Sequence, residues 1–248
     1  AVDLPASPDA GVYFIGRIRT PWHERKDCPK NARASDAVCT VELDPQNAYA
    51  VYAARELMKA QQMFAEAIPF FAMEQALVED TDRKLALYRD EADIRKRIRD
   101  LAGAVSALRQ ARSLVPDDAA LKTELGGLVL ERIEGGDAVA ADERDEAAGL
   151  FVTLAETYDG EYGLSYATSA LRASAGNDRA MQLADYYATQ LGRVAELGPM
   201  YAGYLQANPN GFMAAEARVK GAGAKPPPPP AQRSRPSFPG AEAQGSFN

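Results

Sequence analysis

Apolar residues recur every three to four positions along most of the chain, which is the spacing of amphipathic helices. The clearest stretch is 85–126, where two helical segments are followed by the start of a third. Small residues in the second segment let two helices approach closely, and large residues nearby fill the adjoining gaps. Leu125 and Gly126 then begin the next unit. The residues that set this spacing are Tyr88, Ala104, Leu108, Ala111 and Pro116.

Weaker copies of the same pattern precede and follow that stretch. Steps of roughly 34 residues back from Pro116 reach Asp82 and Ala48. Pro69 is expected to kink its helix or to set the first turn. An acidic loop is predicted at 135–146, a helix at 158–176 and a closing helix at 211–220. The matching small and large residues are Ala67, Phe71, Ala147, Phe151, Tyr166, Ala170, Leu171, Leu183, Ala184, Tyr187 and Tyr201, with Asn208 and Pro209 ending the last unit.

Over 48–220 these residues resemble the tetratricopeptide repeat (TPR) family in a degenerate, irregularly spaced form. The resemblance implies a superhelix of helix pairs that holds a protein or peptide in a groove. The alternative for this region is an irregular α-helical bundle. The expected fold class is therefore mainly α, a TPR-like helical-repeat superhelix with a short N-terminal β segment and a disordered proline-rich tail.

Strand-like sequence occurs near the N-terminus alone. Residues 1–10 contain Pro5 and Pro8 without periodicity and are expected to be a flexible lead. Residues 12–20 are rich in β-formers, and 38–43 alternate as a second strand does. We therefore expect a short β segment at 11–45, ahead of the helical domain at 46–220.

Three blocks within 11–45 resemble the start of the TrmO (TsaA/YaeB-like) family. They are residues 15–22 (IGRIRTPW), 26–31 (KDCPKN) and 40–45 (TVELDP), in the order of that family. The resemblance implies a β-barrel enzyme that uses S-adenosylmethionine to methylate tRNA. The later Ser-His and Arg-Pro-Asn-Pro blocks of the family are absent, and two strands cannot close a barrel. No catalytic residue is therefore carried over.

The composition changes at Gly221. Residues 221–248 include five consecutive prolines at 226–230, followed by Arg233 and Arg235. Such a segment buries too little apolar area to fold, and we expect polyproline II followed by coil. It would either dock into an aromatic-lined groove or serve as a solubilising tail.

Charge and cysteine content limit the classes of partner. A net charge of −7 and a pI of about 5.0 argue against bulk attraction to nucleic acid, so tRNA is a partner under the TrmO-like alternative alone. No apolar run is long enough to span a bilayer. Cys28 and Cys39 are expected to form a disulfide if the protein is exported, or to stay as thiols in the cytosol. The compartment stays open: the bacterial periplasm or cell envelope for a processed mature form, and otherwise the cytoplasm.

Few residues are suited to catalysis. The sequence does not decide whether the protein is an enzyme, and it favours a non-catalytic protein. His23 is the single histidine, and with Cys28 it lies in a polar loop without an orienting partner. Neither a metal site nor a cofactor is expected. The basic run at 95–99 would bind nucleic acid or form a solvated helix face, through the pairs Glu91–Arg95 and Asp93–Arg97.

The repeat register predicts which side chains line a groove on the first helix of each pair. This face is mixed and charged, as suits a peptide ligand. For two of its members, Tyr49 and Tyr52, packing against the N-terminal strands is the alternative. The predicted partner-binding residues are Tyr49, Tyr52, Glu56, Lys59, Arg89, Asp93, Lys96 and Asp185, and the same positions also include Ala86, Asp178, Met181 and Ala188.

These observations predict a non-catalytic scaffold that binds a protein or peptide partner. One alternative is an S-adenosylmethionine-dependent TrmO-like tRNA methyltransferase with a helical extension. The other is a structural subunit of a larger assembly. The sequence leaves the partner and the oligomeric state undetermined.

Overall fold

The computed structural model describes residue 41 and residues 44–221. From Ala48 onward the described residues form ten α-helices and one short 3-10 helix, so the protein is mainly α-helical. The α-helices are α1 (Ala48–Ala60), α2 (Phe64–Leu77), α3 (Thr81–Arg97), α4 (Leu101–Leu114), α5 (Ala119–Glu134), α6 (Ala141–Thr157), α7 (Gly160–Ala173), α8 (Asp178–Gln190), α9 (Gly198–Ala207) and α10 (Ala214–Gly221), with the 3-10 helix Val194–Leu197 between α8 and α9.

Each helix packs against the next one along the chain, which makes a stack of helical hairpins. Helices two apart also touch: α5 contacts α7, α6 contacts α8, and α7 contacts α9. Odd-numbered and even-numbered helices therefore form two rows. This is the mainly helical, repeat-like architecture that the periodicity predicted.

Side-chain caps fix where several helices begin. Asp80 accepts a hydrogen bond from the backbone N–H of Arg83, and Asp118 accepts one from Leu121. Asn47 and Asn177 cap α1 and α8 in the same way. Each cap satisfies one of the N–H groups that the first turn of a helix leaves unpaired.

The first three hairpins turn in the same way. Gln62, Arg99 and Gly136 each have a positive φ, of 60°, 63° and 86°, and they are 37 residues apart in each case. In each turn the following residue donates its N–H to a carbonyl five residues back, as Asp100 does to Arg95 at 2.9 Å. The repeat period of these turns is therefore 37 residues and not the expected 34.

Two apolar clusters form the core, and α3 contributes to both. Leu87 and Ile94 pack with α1 and α2, whereas Ala92 packs with the helices that follow. Ala104, Leu108 and Ala111 are completely buried, which confirms the small and large positions of the clearest unit.

Three expectations about local structure were wrong. The acidic stretch predicted as a loop at 135–146 is helical from Ala141, because Glu143 and Glu146 are paired with arginines of neighbouring helices. Pro69 is the sixth residue of α2, which continues to Leu77, so the alternative that it sets the first turn is wrong, and the expected kink stays a prediction. Val41, predicted in a strand, is helical and buried in the N-terminal core.

The helices predicted near the C-terminus are present with shorter bounds. The segment 158–176 contains α7, which ends at Ala173 with Ser174 as its C-cap. The closing helix predicted at 211–220 is α10, which starts at Ala214 and ends at Gly221. The flexible lead, the β segment apart from Val41, Asp44 and Pro45, His23, both cysteines and the proline-rich tail after Gly221 lie outside the described residues.

Candidate functional site

Ion pairs connect α1 to α3 across the row of odd-numbered helices. Lys59 Nζ lies 2.5 Å from a carboxylate oxygen of Asp90, and Arg55 Nη1 donates to the same oxygen at 2.8 Å. Glu56 of α1 contacts Lys59 at 3.2 Å. These contacts set the two helices side by side with their charged faces in register.

Further polar contacts extend the row to α5 and α7. Lys96 donates to Glu124 at 3.1 Å, and the Thr123 hydroxyl lies 3.5 Å from that of Tyr166. Burial on its own lowers the pKa of Lys96, but hydrogen bonds to Asp93 and Glu124 outweigh it and raise the pKa, so the amine is a cation near neutral pH. The surface that carries these contacts, which we call the first-helix face, consists of Glu56, Lys59, Arg89, Asp93, Lys96, Thr123, Glu124, Gly127 and Tyr166.

Seven of the eight predicted binding residues lie on α1 and α3. Tyr49 is partly buried, and the ring of Tyr52 lies 5.5 Å from the guanidinium of Arg55. Lys59 and Lys96 bridge neighbouring helices. Whether any of the seven contacts a partner stays a prediction. Apart from Val41, the strands proposed to cover Tyr49 and Tyr52 lie outside the described residues.

Asp185 belongs to a separate cluster at the C-terminal end. It is buried and accepts a hydrogen bond from the Tyr201 hydroxyl. Lys220 Nζ donates to both of its carboxylate oxygens, at 2.6 and 2.8 Å. Met181 and Ala188, expected on the same face, are completely buried in the core. They lie on α8, an even-numbered helix, so the expected face does not continue from α3 to α8.

Arg89 is the residue of the first-helix face with the most unused hydrogen-bonding capacity. Its Nη2 makes one long contact with Asp118, at 3.4 Å. Its Nε is the single buried side-chain nitrogen or oxygen without a hydrogen-bond partner in the described part of the chain. A guanidinium has five N–H donors, and the Arg89 side chain is 38% exposed, so its Nη groups retain donors for an incoming carbonyl or carboxylate, whereas the buried Nε is out of reach of a ligand.

Gly127 leaves an open position in the middle of this face. It is exposed in the interior of α5, and a Cβ atom added there would meet nothing within 4 Å. It lies one turn after Thr123 and Glu124, between the contacts to α7 and to α3. Glycine in a helix interior costs roughly 0.5–1 kcal/mol relative to alanine, and no packing contact explains it here. The sequence places this glycine in a helix but gives no sign of its exposure.

Three tyrosines lie on or next to α7, and one of them, Tyr166, contacts Thr123 one turn before Gly127. Tyr158, Tyr162 and Tyr166 follow at intervals of four residues, which puts them on one side of α7 and the turn before it. The rings of Tyr158 and Tyr166 are 5.7 Å apart, and Tyr162 is 72% exposed. Aromatic side chains provide large contact areas at low entropic cost. From the sequence, Tyr166 was predicted as a repeat position but not as a binding residue.

Cations of the basic run at 95–99 pair with acidic residues of α3 and α5. Arg95 donates to Glu91 at 2.7 Å, which confirms the expected i,i+4 pair. Asp93, however, pairs with Lys96 at 2.6 Å instead of with Arg97, whose guanidinium lies 5.5 Å from the ring of Phe64. The paired cations favour the solvated helix face over a nucleic-acid site.

No group of three or more His, Cys, Asp or Glu among the described residues is placed to hold a metal ion. None of the described helices combines the length and the apolarity required to cross a bilayer.

The chain matches no protein-family model. A curated relative, the "Probable S-adenosyl-L-methionine-binding protein VirR" of Rhizobium radiobacter, is 44% identical over 43 residues. That match covers 17% of this chain and spans a quarter of the length of the relative. It does not place the chain in a family.

Among solved structures, the chain is similar to YrrB, described as "a TPR protein with an unusual peptide-binding site". The two are 18% identical, the TM-score is 0.34, and the similarity covers 74% of this chain and 80% of the other. A TM-score of 0.34 is too low to assign a fold or a function to this chain.

Proposed function

We propose that the protein is a non-catalytic, TPR-like interaction module that binds an extended peptide on the first-helix face. The observation that carries the proposal is Gly127, an exposed glycine in a helix interior that no packing contact explains. It lies in a row of helices connected by ion pairs. Without a side chain at this position, a peptide backbone can approach α5 more closely than any other residue would allow.

The peptide would find recognition groups on both sides of that open position. Arg89 supplies spare N–H donors for peptide carbonyls or for an acidic side chain. Tyr166, one helix further, supplies an aromatic face and a hydroxyl. Because ion pairs hold the helices in place, little conformational entropy is lost on binding, and the surface is preorganised.

The test starts from a peptide selected against the full chain from a random library displayed on phage. Gly127→Ala adds one methyl group to the proposed floor of the site, and we expect it to weaken binding of that peptide by about tenfold, or roughly 1.4 kcal/mol. Arg89→Ala should weaken binding as well. The measurement is the dissociation constant by isothermal titration calorimetry.

Gly149 provides a matched control. It is also an exposed glycine in a helix interior, with nothing within 4 Å of an added Cβ, but it lies on the even-numbered helix α6. Gly149→Ala should therefore stabilise its helix as Gly127→Ala does and leave peptide affinity unchanged. Equal affinities for the two variants would contradict the assignment of the face.

A second candidate function is binding of S-adenosylmethionine. It is supported by the 43-residue match to a protein described as a probable S-adenosylmethionine-binding protein. In the TrmO-like alternative this binding would serve tRNA methylation, with the helical domain as an extension. A ligand that binds the folded state raises its melting temperature, so the thermal midpoint of the full chain should rise with added S-adenosylmethionine. An unchanged midpoint at millimolar ligand, with no heat of binding, would remove this candidate.

The structural-subunit alternative gives a different result. A subunit whose first-helix face is permanently covered would be isolated from its source organism with a constant partner, at fixed stoichiometry. Reversible binding of short selected peptides by the isolated chain supports the interaction module instead.

A further inference from the structure

An open cleft of about 380 Å³ lies between α8 and α10, away from the first-helix face. Tyr186 lines it and is 57% exposed. The neighbouring Tyr187 is anchored by a hydrogen bond from its hydroxyl to the Ala155 carbonyl at 2.7 Å. The two rings meet edge to face at 5.2 Å, so the buried tyrosine supports the exposed one. The cleft therefore presents one supported aromatic face.

Besides the apolar Met213, the other lining groups are hydrogen-bond donors and acids. Gln182, Thr189 and Gln190 line the cleft with side chains that can donate to carbonyls. Asp185 and Glu216 stand against a single cation, Lys220, which contacts both of them. The cleft is thus aromatic, rich in amide donors and negative by one charge.

The chain itself carries a segment of complementary chemistry. Residues 222–248 contain Lys225, Arg233 and Arg235 against one acid, Glu242, and the five prolines at 226–230. A proline run has carbonyl acceptors without N–H donors, and aromatic-lined grooves recognise such runs in the polyproline II form. The prolines match the aromatic face and the amide donors of the cleft, and the three cations match its negative charge.

The point at which the described chain ends places this segment beside the cleft. Lys220 lines the cleft, and Gly221 is the last residue of α10. The first proline lies five positions after Gly221, with four residues between them, a reach of at most about 17 Å. We propose that the cleft between α8 and α10 binds the proline-rich segment 226–230 of the same chain. This inference concerns a different surface from the peptide site and does not depend on it.

The test is limited trypsin proteolysis of the full chain, followed at Arg233 by mass spectrometry. Lys225 and Arg235 precede proline and resist trypsin, so Arg233 reports on the tail. Tyr186→Ala removes the aromatic wall and should speed cleavage at Arg233 several-fold. The control Tyr162→Ala removes another exposed tyrosine, on α7 and outside the cleft lining, and should leave the rate unchanged.

Serine at all five positions 226–230 gives an independent check without altering the helices. This variant should match Tyr186→Ala, and combining the two should add nothing, as expected for groups that act through one contact. Equal cleavage of the wild-type chain and Tyr186→Ala would overturn the proposal. Protection that increases with protein concentration would overturn it as well, because it would place the segment on a second copy.

Discussion

Phe151 of α6 packs directly on Gly126 of α5, so that a Cβ atom built on the glycine would lie 2.7 Å from Cζ of the ring. Both residues are buried, and the Phe151 ring also lies 6.4 Å from that of Tyr166. A small residue and a large one thus join three successive helices. The adjacent Gly127 faces open space, so two consecutive glycines serve different purposes.

Gly126→Ala should destabilise the protein by about 1 to 2 kcal/mol, because overpacking a core costs more than the gain in helix propensity. Gly127→Ala should instead stabilise it by about 0.5 to 1 kcal/mol, since the methyl group meets nothing. Urea unfolding followed by circular dichroism measures both. Changes of the same sign and size would contradict the packing described here.

The buried pair Arg55–Glu74 should be sensitive to the loss of one charge. Arg55 Nε donates to Glu74 at 2.7 Å, and the Glu74 side chain is 1% exposed. Glu74→Gln removes the carboxylate that pairs with Arg55 Nε, while Asp90 and Glu56 remain as counter-charges on the outer side of the guanidinium. The loss of this buried, charged hydrogen bond should lower the free energy of unfolding by about 2 kcal/mol.

The outer partner of Glu74 supplies the control for that prediction. Arg83 also donates to Glu74, at 3.0 Å, but its side chain is 53% exposed. Arg83→Ala should therefore cost less than about 1 kcal/mol in urea unfolding. A cost as large as that of Glu74→Gln would show that burial does not decide the strength of these pairs.

Asp100 makes stability depend on pH in acid. Burial on its own raises the pKa of Asp100, but the N–H of Gly103 and the guanidinium of Arg95 outweigh it and lower the pKa below its ordinary value of 3.8. Below that value the unfolded chain binds more protons than the native one, so this stabilisation is complete above 3.8 and is lost as the pH falls through the lower folded pKa.

Asp100→Asn tests this pH dependence because asparagine also caps helices. We expect the variant to be less stable at neutral pH by at most about 1 kcal/mol, and the difference to shrink below the ordinary pKa. Urea unfolding at neutral pH and near pH 3 provides the comparison. A difference that does not change with pH would exclude the Asp100 charge as its source.

Arg99 occupies a backbone conformation that suits glycine. Its φ is 63°, and its side chain is 83% exposed, 3.7 Å from Glu131. Arg99→Gly should raise stability by about 1 kcal/mol by removing the left-handed strain. Arg99→Ala loses the same ion pair but keeps the strain, so it should not share the gain. The thermal midpoints of the two variants should therefore differ in favour of glycine.

Helical periodicity was enough to predict the helices that carry apolar stripes. Ala104 and Leu108 lie in the core as expected, because their spacing puts them on one side of α4. The start of α6 was missed because it is acidic and lacks such a stripe. Its acids are held by arginines far away in sequence, such as Arg109, which contacts Glu146 at 2.7 Å. Local pattern carries no information about such partners.

Only part of the first-helix face was predicted, because the local pattern identifies residues of one helix but not their partners on the next. Lys59 and Lys96 were identified from the repeat register, but their partners Asp90 and Glu124 lie 31 and 28 residues away. The register then failed at α8, because the segment 158–176 was predicted as a separate helix, whereas α7 pairs with α8 and makes α8 the second helix of its pair. The exposure of Gly127 depends on helix packing, which a single sequence does not show.

The most direct test of the central claim is to map where a selected peptide touches the full chain, using backbone amide chemical shifts. We predict that the largest shifts on adding the peptide fall at Thr123, Gly127 and Tyr166 and at Arg89 on α3. Amides of the even-numbered helices α4 and α6, including Gly149, should change little. Shifts concentrated on α4 and α6, with Gly127 unaffected, would contradict the proposed binding face.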